Sequence, residues 1–410
     1  MKKPTALYIS YDGMLEPLGQ SQVVAYLEKL ADEVQFHLVS FEKASDWQDA
    51  GRREVVANRL RRAGIAWHPL RYHKRPTVPA TLFDIANGMV RSVWLAVRHR
   101  IRLVHARSYV AGLIALPVKR LTGARFLFDI RGFWADERTD GGLWPKDGRL
   151  YRVAKALERT LLRNADYLVT LTDKSVPILK GLAATAGARD TPVAVITTCA
   201  DLDCFAPGEG LPADGFVLGY LGSIGTWYMF DELLECFVQL RRRRPDARLL
   251  IVNRDDHEFA RRKLDEFEIP ADCTELVAVD HADAPAAIRR MTVGTAIIMP
   301  SFSKISSAPT KIAEYLGCGI PCLANVGVGD VADVLEGNHV GVALAGFTEA
   351  DRRDAIDRLL ALVESPGLAG RCRETALRLF SLDDGVRAYR AIYGDLLQAA
   401  PAAQGAAGHA

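Results

Sequence analysis

Short apolar runs alternate with longer stretches of helical periodicity from one end of the chain to the other. Bounded by turn residues, the short runs predict strands at Ala6–Ser10, Val34–Phe41, Ile65–Pro69, Leu103–Ala106, Phe126–Asp129, Tyr167–Leu171 and Val193–Thr197. A second series follows at Phe216–Leu221, Arg248–Val252, Glu275–Val279, Gly294–Met299, Pro321–Ala324 and Val340–Leu344. Helical patterns such as Gln22–Ala31, Asp231–Arg242 and Thr310–Gly317 lie between the strands. Such alternation calls for parallel sheets covered on both faces, and two series call for two doubly wound α/β domains.

The break between the series falls at Cys199–Gly215, where Asp201, Asp203, Pro207, Gly208, Gly210 and Pro212 make a segment suited to joining domains. The expected division is residues 1–200, a linker at 201–215 and residues 216–382. A last helical pattern, 383–398, follows the second sheet, and the Ala- and Gly-rich tail 399–410 is expected to be disordered. A length of 410 residues agrees with two cores rather than one. With 49% hydrophobic and 25% charged residues, the composition excludes a disordered or disulfide-stapled chain. No apolar run nears the roughly 20 residues that span a bilayer, and no secretory signal pattern opens the chain. The seven cysteines are odd in number and lack CxxC pairing, which suits reduced thiols of the cytosol. Neither Cys199/Cys204 nor Cys318/Cys322 has the His or Cys companions of a zinc site, so no metal is expected.

The net charge of +2 conceals an asymmetry: the first 205 residues carry +10 and the remainder −8. Much of the excess lies at Arg52, Arg53, Arg59, Arg61, Arg62, Arg71, Lys74, Arg75, Arg91, Arg98, Arg100 and Arg102, with Trp67, Trp94 and Leu95 among them. Arginines interleaved with aromatic and apolar residues suit an anionic membrane surface, and solvated helix faces are the plainer alternative. Nucleic acid is not an expected partner, because no reader motif accompanies the charge. The run Arg241–Arg244 closes a helix before Pro245 and reads as structural.

In open α/β sheets the ligand lies beyond the carboxyl ends of the strands, so two such domains place chemistry in the cleft between them. Four segments sit at such ends. After the first strand, Tyr11–Ser21 carries Gly19 and leads into a helix with Ser21 as the expected N-cap, an arrangement that favours a phosphate. After Asp129 come Arg131, Asp136 and Glu137; Arg131 suits an anion, and either acid suits orienting or deprotonating a hydroxyl. In the second half, Gly222-Ser223-Ile224-Gly225-Thr226 offers another phosphate-sized concavity. The most specific segment is Ser301–Pro321. Its polar loop, with Ser303, Lys304, Ser306 and Ser307, feeds a helix at Thr310 that carries Lys311 in its first turn and Glu314 one turn on. A helix start and a lysine suit phosphate, and a carboxylate at that distance suits the paired hydroxyls of a ribose.

At these residues the chain resembles the GT-B glycosyltransferases, in particular the retaining nucleotide-sugar enzymes of family 4. The resemblance rests on Leu18-Gly19-Gln20-Ser21, on the linker Ile196–Phe205 and on Pro309-Thr310-Lys311-Ile312-Ala313-Glu314-Tyr315-Leu316. It implies two Rossmann-like domains facing across a cleft, with the last helix crossing back to the first domain. By position, Glu314 matches the second acid of the family's Glu-x7-Glu pattern, which holds the donor ribose. The first acid falls at Ser306, so this chain is a variant in which Ser303, Ser306 or Ser307 meets the sugar. Many members carry an Arg and a Lys for the donor pyrophosphate after the second domain's first strand. Here Ser223 and Trp227-Tyr228 stand there, which passes that charge to Lys311 or Lys304. Arg131 stands where many members carry a His.

The resemblance implies a transferase that needs no metal or cofactor. A nucleoside diphosphate leaves the anomeric carbon, and the acceptor hydroxyl enters on the same face, which retains configuration. The catalytic set expected is Arg131, Asp136, Glu137 and Lys311. The donor set is Gly19, Gly222, Ser223, Ser306, Ser307, Thr310, Lys311 and Glu314. A glycan or lipid-linked acceptor, handled by a cytoplasmic enzyme peripheral to the inner face of the membrane, would account for the basic first half. A degenerate binding subunit of a polysaccharide assembly complex and a sugar-nucleotide epimerase are the alternatives.

Overall fold

The computed structural model describes residues 3–208, 215–225, 227–280 and 282–398. The expected disordered tail, and Gly210 and Pro212 of the linker, lie outside the described residues. The chain forms two parallel sheets. The first has seven strands, β1 (Thr5–Ser10), β2 (Gln35–Glu42), β3 (Ala66–Arg71), β4 (Leu103–Arg107), β5 (Arg125–Asp129), β6 (Tyr167–Thr170) and β7 (Val193–Val195), in the order β3-β2-β1-β4-β5-β6-β7. The second has six, β8 (Val217–Leu221), β9 (Arg248–Val252), β10 (Thr274–Val277), β11 (Val293–Ala296), β12 (Cys322–Asn325) and β13 (Gly341–Leu344), in the order β10-β9-β8-β11-β12-β13. Each strand expected from the apolar runs is present, because strands covered on both faces read as continuous apolar segments.

Both sheets reverse their winding once, between β1 and β4 and between β8 and β11. A crevice opens beyond the carboxyl ends at each such point. Register puts Ser10 opposite Arg107 at the first and Tyr220 opposite Thr295 at the second.

The helices include α1 (Thr77–His99), α2 (Ser108–Thr122), α3 (Trp134–Asp140), α4 (Arg149–Asn164), α5 (Phe230–Arg243), α6 (Thr310–Gly317), α7 (Leu368–Leu379) and α8 (Leu382–Gln398). The stretch after β1 departs from expectation. It turns helical at Pro17–Gly19, widens into a π turn at Gln20–Val24 and continues at Ala25–Leu30, so Ser21 is internal and not a cap. Gly19 has ordinary helical dihedrals and is buried. A Cβ there would lie 2.0 Å from the Gly13 carbonyl oxygen. Gly19 therefore packs the loop before it and does not form an open cradle.

α8 returns to the first sheet. Val386, Tyr389, Ile392, Tyr393 and Leu396 join one core with Leu27, Phe36 and Leu103, and the Tyr393 hydroxyl lies 2.7 Å from His105 Nδ1. The chain thus crosses between domains twice, and the crossings touch: Ala200 pairs in parallel with Ser381. Arg373 of α7 fastens the first crossing, donating to the carbonyls of Phe205 (2.7 Å), Leu202 (2.8 Å) and Gly317 (3.0 Å).

Removing the guanidinium takes its three hydrogen bonds from these carbonyls. Arg373→Met keeps the apolar stem, and should lower unfolding free energy by about 1–3 kcal/mol in a urea titration. An unchanged midpoint would show that the linker is held by its apolar contacts alone.

Candidate functional site

The second domain's half of the cleft is built on α6. Tyr315 anchors that helix: its hydroxyl accepts from the Leu221 amide at 2.8 Å, and its ring lies so close to β11 that a Cβ on Gly294 would sit 2.5 Å away. Thr310 is the first residue of α6, half-buried, and begins a helix whose N-cap position, Pro309, supplies no side-chain hydrogen bond.

Next to it in the first turn, Lys311 is 6% exposed, and its Nζ is buried with no hydrogen-bond partner among the described residues. Two rings face the ammonium instead, Tyr228 with its centroid at 3.8 Å and Tyr220 at 4.3 Å. Gly222 is the third wall. Its φ of +117° favours glycine, and a Cβ would come within 3.3 Å of Nζ. Glu314 is 8% exposed, and its carboxylate accepts no hydrogen bond among the described residues. Burial pushes Lys311 down to about 7, against a smaller opposing pull from Glu314. Burial likewise pushes Glu314 up to about 7, with Lys311 opposing. A desolvated cation and a desolvated carboxylate one turn apart are poised for partners that they lack here.

The loop beside them is ordered by Asn253, a residue absent from the expected donor set. Directly after β9, it donates from Nδ2 to the Gly222 carbonyl at 2.9 Å. Asp256 accepts from the Ile224 amide at 3.2 Å. Ser223 is exposed at the lip of this loop. A polar side chain ending an apolar strand was the available signal for Asn253.

The loop before α6 faces the first domain. Ser306 is fully buried, and its Oγ donates to the Ser303 carbonyl at 3.0 Å. It also sits 3.5 Å from where a Cβ on Gly132 would be. Ser307 is half-buried and lines a cavity of about 390 Å³ with Ala308, Pro309 and Ile312 beside the crossings. That cavity lies against residues of the linker and α8 and excludes Lys311 and Glu314. Lys304 stacks over Trp227 at 3.8 Å and pairs with Glu137 of α3 across the cleft. The Ser303 amide donates to Asp140 at 2.9 Å, and Phe133 stacks on Phe302 at 5.3 Å between centroids. Thr172 Oγ1 donates to the Ile305 carbonyl at 2.7 Å. The domains are closed on each other.

In the first domain Asp136 turns away from the cleft. Its carboxylate accepts from Tyr151 at 2.8 Å and from Lys155 at 3.0 Å, both on α4, which makes it a brace for α3 and not a free base. Glu137 is engaged by Lys304. Arg131 sits at φ +58°, with its guanidinium 3.7 Å from Asp129. Asp129 is buried and accepts from the Tyr389 hydroxyl of α8 at 3.0 Å. Burial pushes its carboxyl up, but Arg131 and His105 together outweigh that and hold it below the usual range. Arg107 lies in the same crevice, 4% exposed, its Nε without a hydrogen bond among the described residues but ion-paired with Asp12 at 3.6 Å. Gly222, Lys311 and Glu314 thus form one cluster, while Gly19 packs on Gly13, Asp136 is held by α4 and Ser307 lines the cavity beside the crossings. Arg107 and Asn253 join the residues at the strand ends.

Comparison with known proteins agrees with this architecture. The family described as "Glycosyl transferase 4-like domain" matches residues 20–180, and "Glycosyl transferases group 1" matches residues 205–377. A D-inositol 3-phosphate glycosyltransferase of Gordonia bronchialis is 24% identical over 373 residues, 87% of this chain and 80% of that protein. Among solved structures, sucrose-phosphate synthase of Thermosynechococcus elongatus superposes with a TM-score of 0.73 at 15% identity, covering 97% of this chain and all of that one. HepE of Anabaena, solved with UDP and glucose, superposes with a TM-score of 0.68 at 11% identity, covering 96% of this chain and 100% of that one. Two facing Rossmann-like sheets, a returning last helix and both matching domains place the chain in one family: it belongs to the GT-B glycosyltransferases of the family 4 type.

Proposed function

We propose that the protein transfers a sugar from a nucleoside diphosphate-sugar to a hydroxyl acceptor with retention of configuration, without a metal ion. We assign it to the building of cell-envelope or extracellular glycans, with a glycan or lipid-linked acceptor met at the inner face of the membrane. The observation that carries the donor half is Lys311, a buried ammonium with no hydrogen-bond acceptor, set between Gly222 and the tyrosine pair. A diphosphate supplies the acceptors it lacks, with the amides of the α6 start and the Gly222–Ser223 turn as further donors. Glu314 takes the ribose hydroxyls. That HepE was solved with UDP-glucose supports this ligand class.

As the sugar–phosphate bond breaks, negative charge grows on the leaving diphosphate, and Lys311 and the helix start stabilise it. The leaving phosphate takes the acceptor's proton, so no strong base is required. Ser303 and Ser306 line the sugar side, and Arg131 with Glu137 lines the acceptor side. The closed contacts around Lys304 exclude water, which limits hydrolysis of the donor. Ser306 in place of an acid, and Ser223 and Trp227-Tyr228 in place of the Arg and Lys, favour a binding subunit, and measured turnover decides between the two.

Glu314→Ala should weaken nucleoside diphosphate binding about 30-fold, since hydrogen bonds to a charged group are worth about 1.5–3 kcal/mol. Unchanged affinity in a calorimetric titration would remove Glu314 from the ribose. Lys311→Met should separate stability from activity. Removing a buried unpaired cation leaves the melting temperature equal or higher, while turnover falls about 100-fold or more. Full activity in that variant would overturn the phosphate role.

Affinity should also depend on pH. In the empty site burial brings Lys311 down to about 7, and a bound diphosphate raises it again. Binding is then strongest with Lys311 protonated and falls, by up to about tenfold per unit, as pH rises above 7. Below 7, protonation of Glu314 removes the ribose acceptor. A flat profile from pH 6 to 9 (about three units) would contradict both assignments.

A further inference from the structure

α1 is turned inside out for a helix that merely covers a sheet. Its buried positions are Ala80, Asp84, Gly88, Ser92, Leu95 and Ala96, mostly small or polar. Val78, Leu82, Phe83, Val90, Trp94 and Val97 face outward, each between 50% and 73% exposed. At 3.6 residues per turn these six fall within an arc of about 160°. A surface helix of a water-soluble protein shows the reverse pattern, and a contiguous exposed apolar stripe marks an interaction surface.

The orientation is locked from within. Asp84 accepts from the Tyr11 hydroxyl at 3.0 Å and from the His73 amide at 2.9 Å. A Cβ on Gly88 would come within 2.7 Å of Ile114 of α2. The helix therefore cannot roll its large side chains inward. Leu95, expected among the arginines, is fully buried, and Trp67 is half-buried with its Nε1 donating to Ser40, so of that aromatic set only Trp94 faces out.

The rim of the stripe is basic. From Arg71 to Arg102 the chain has seven lysines and arginines and one acid, the buried Asp84. Arg71, Lys74, Arg75, Arg98 and Arg100 flank the stripe in sequence, Arg102 donates to the Leu397 carbonyl of α8 at 2.8 Å, and none of the seven cations forms an ion pair among the described residues. Arg91 stacks over Trp94 at 4.9 Å. No described helix is long and apolar enough to cross a membrane, and Asp84 and Arg91 interrupt this one.

We propose that α1 lies in the plane of an anionic lipid bilayer and seats the first domain on it. Its apolar stripe enters the boundary between headgroups and acyl chains, and its arginines meet the lipid phosphates. The Trp94 ring suits the headgroup level, where aromatic side chains are enriched. The amino-terminal half of α1 contacts Tyr11, just beyond β1, so the seated face borders the cleft's acceptor side. Exposure and charge carry this inference, which does not depend on the transferase reading.

The test is co-sedimentation of the full chain with vesicles of phosphatidylcholine alone or with about 30% phosphatidylglycerol. Wild type should pellet with the anionic vesicles, remain soluble with the neutral ones, and be released by about 1 M salt, where the Debye length falls to about 3 Å. The triple variant Leu82→Asp, Val90→Asp, Trp94→Asp should lose at least tenfold in vesicle affinity, and Arg98→Gln with Arg100→Gln should lose about tenfold. Every changed side chain is exposed, and unaltered thermal unfolding of the variants shows that the fold is kept. Wild-type pelleting by the triple variant would overturn the proposal. So would a concentration-dependent dimer of wild type that ignores vesicles and that the triple variant abolishes, because a second copy would then cover the stripe.

Discussion

An ammonium group without a hydrogen-bond acceptor is the constraint on which the second domain's architecture turns. Burying such a charge costs several kcal/mol unless something faces it. Here the faces of Tyr220 and Tyr228 do so, at 4.3 and 3.8 Å from Lys311 Nζ. Such cation–π contacts are worth about 2 kcal/mol when desolvated, less than the charge has lost. The remainder is held as tension that an anion would relieve. Glycine at position 222, the Tyr315 anchor and the close approach at Gly294 all serve to keep α6 and its lysine at this place. A fold selected for stability alone would carry a methionine there.

Around that site, closure and charge divide the labour between domains. The loop before α6 is pinned to the first domain by Lys304–Glu137, Ser303–Asp140 and Thr172–Ile305, contacts separated by more than 130 residues in sequence. The two chain crossings meet at Ala200 and Ser381. The acidic half holds the desolvated pair Lys311 and Glu314. The basic half carries much of its surplus charge on an outer face, while Arg107 is buried and Arg131 half-buried at the cleft floor.

How much of this could be read without coordinates depended on the range of the interaction. The thirteen strands and the α6 boundaries follow from local apolar runs and from Pro309 at the helix start, so they were visible. The α8 return was legible only by resemblance, since nothing local in 383–398 says which sheet it will cover. The misread elements were decided by contacts that periodicity does not carry. Gly19 answers to the Gly13 carbonyl, and Asp136 answers to Tyr151 and Lys155 on the next helix. Leu95 and Trp94 are neighbours in sequence on opposite sides of α1, a difference of helical phase that composition does not carry. Asn253 and Arg107 did leave a trace, as polar residues closing apolar strands.

The cleft proposed here is one built around a nucleoside diphosphate. A thermal-shift screen of the purified chain against UDP, GDP, CDP and ADP, with and without EDTA, addresses it directly. A ligand at 100 times its dissociation constant adds about 2.7 kcal/mol, a clear shift in melting temperature. The account predicts that one base stabilises the protein and that EDTA leaves the shift unchanged. No shift with any nucleotide, or a shift abolished by EDTA, would contradict it.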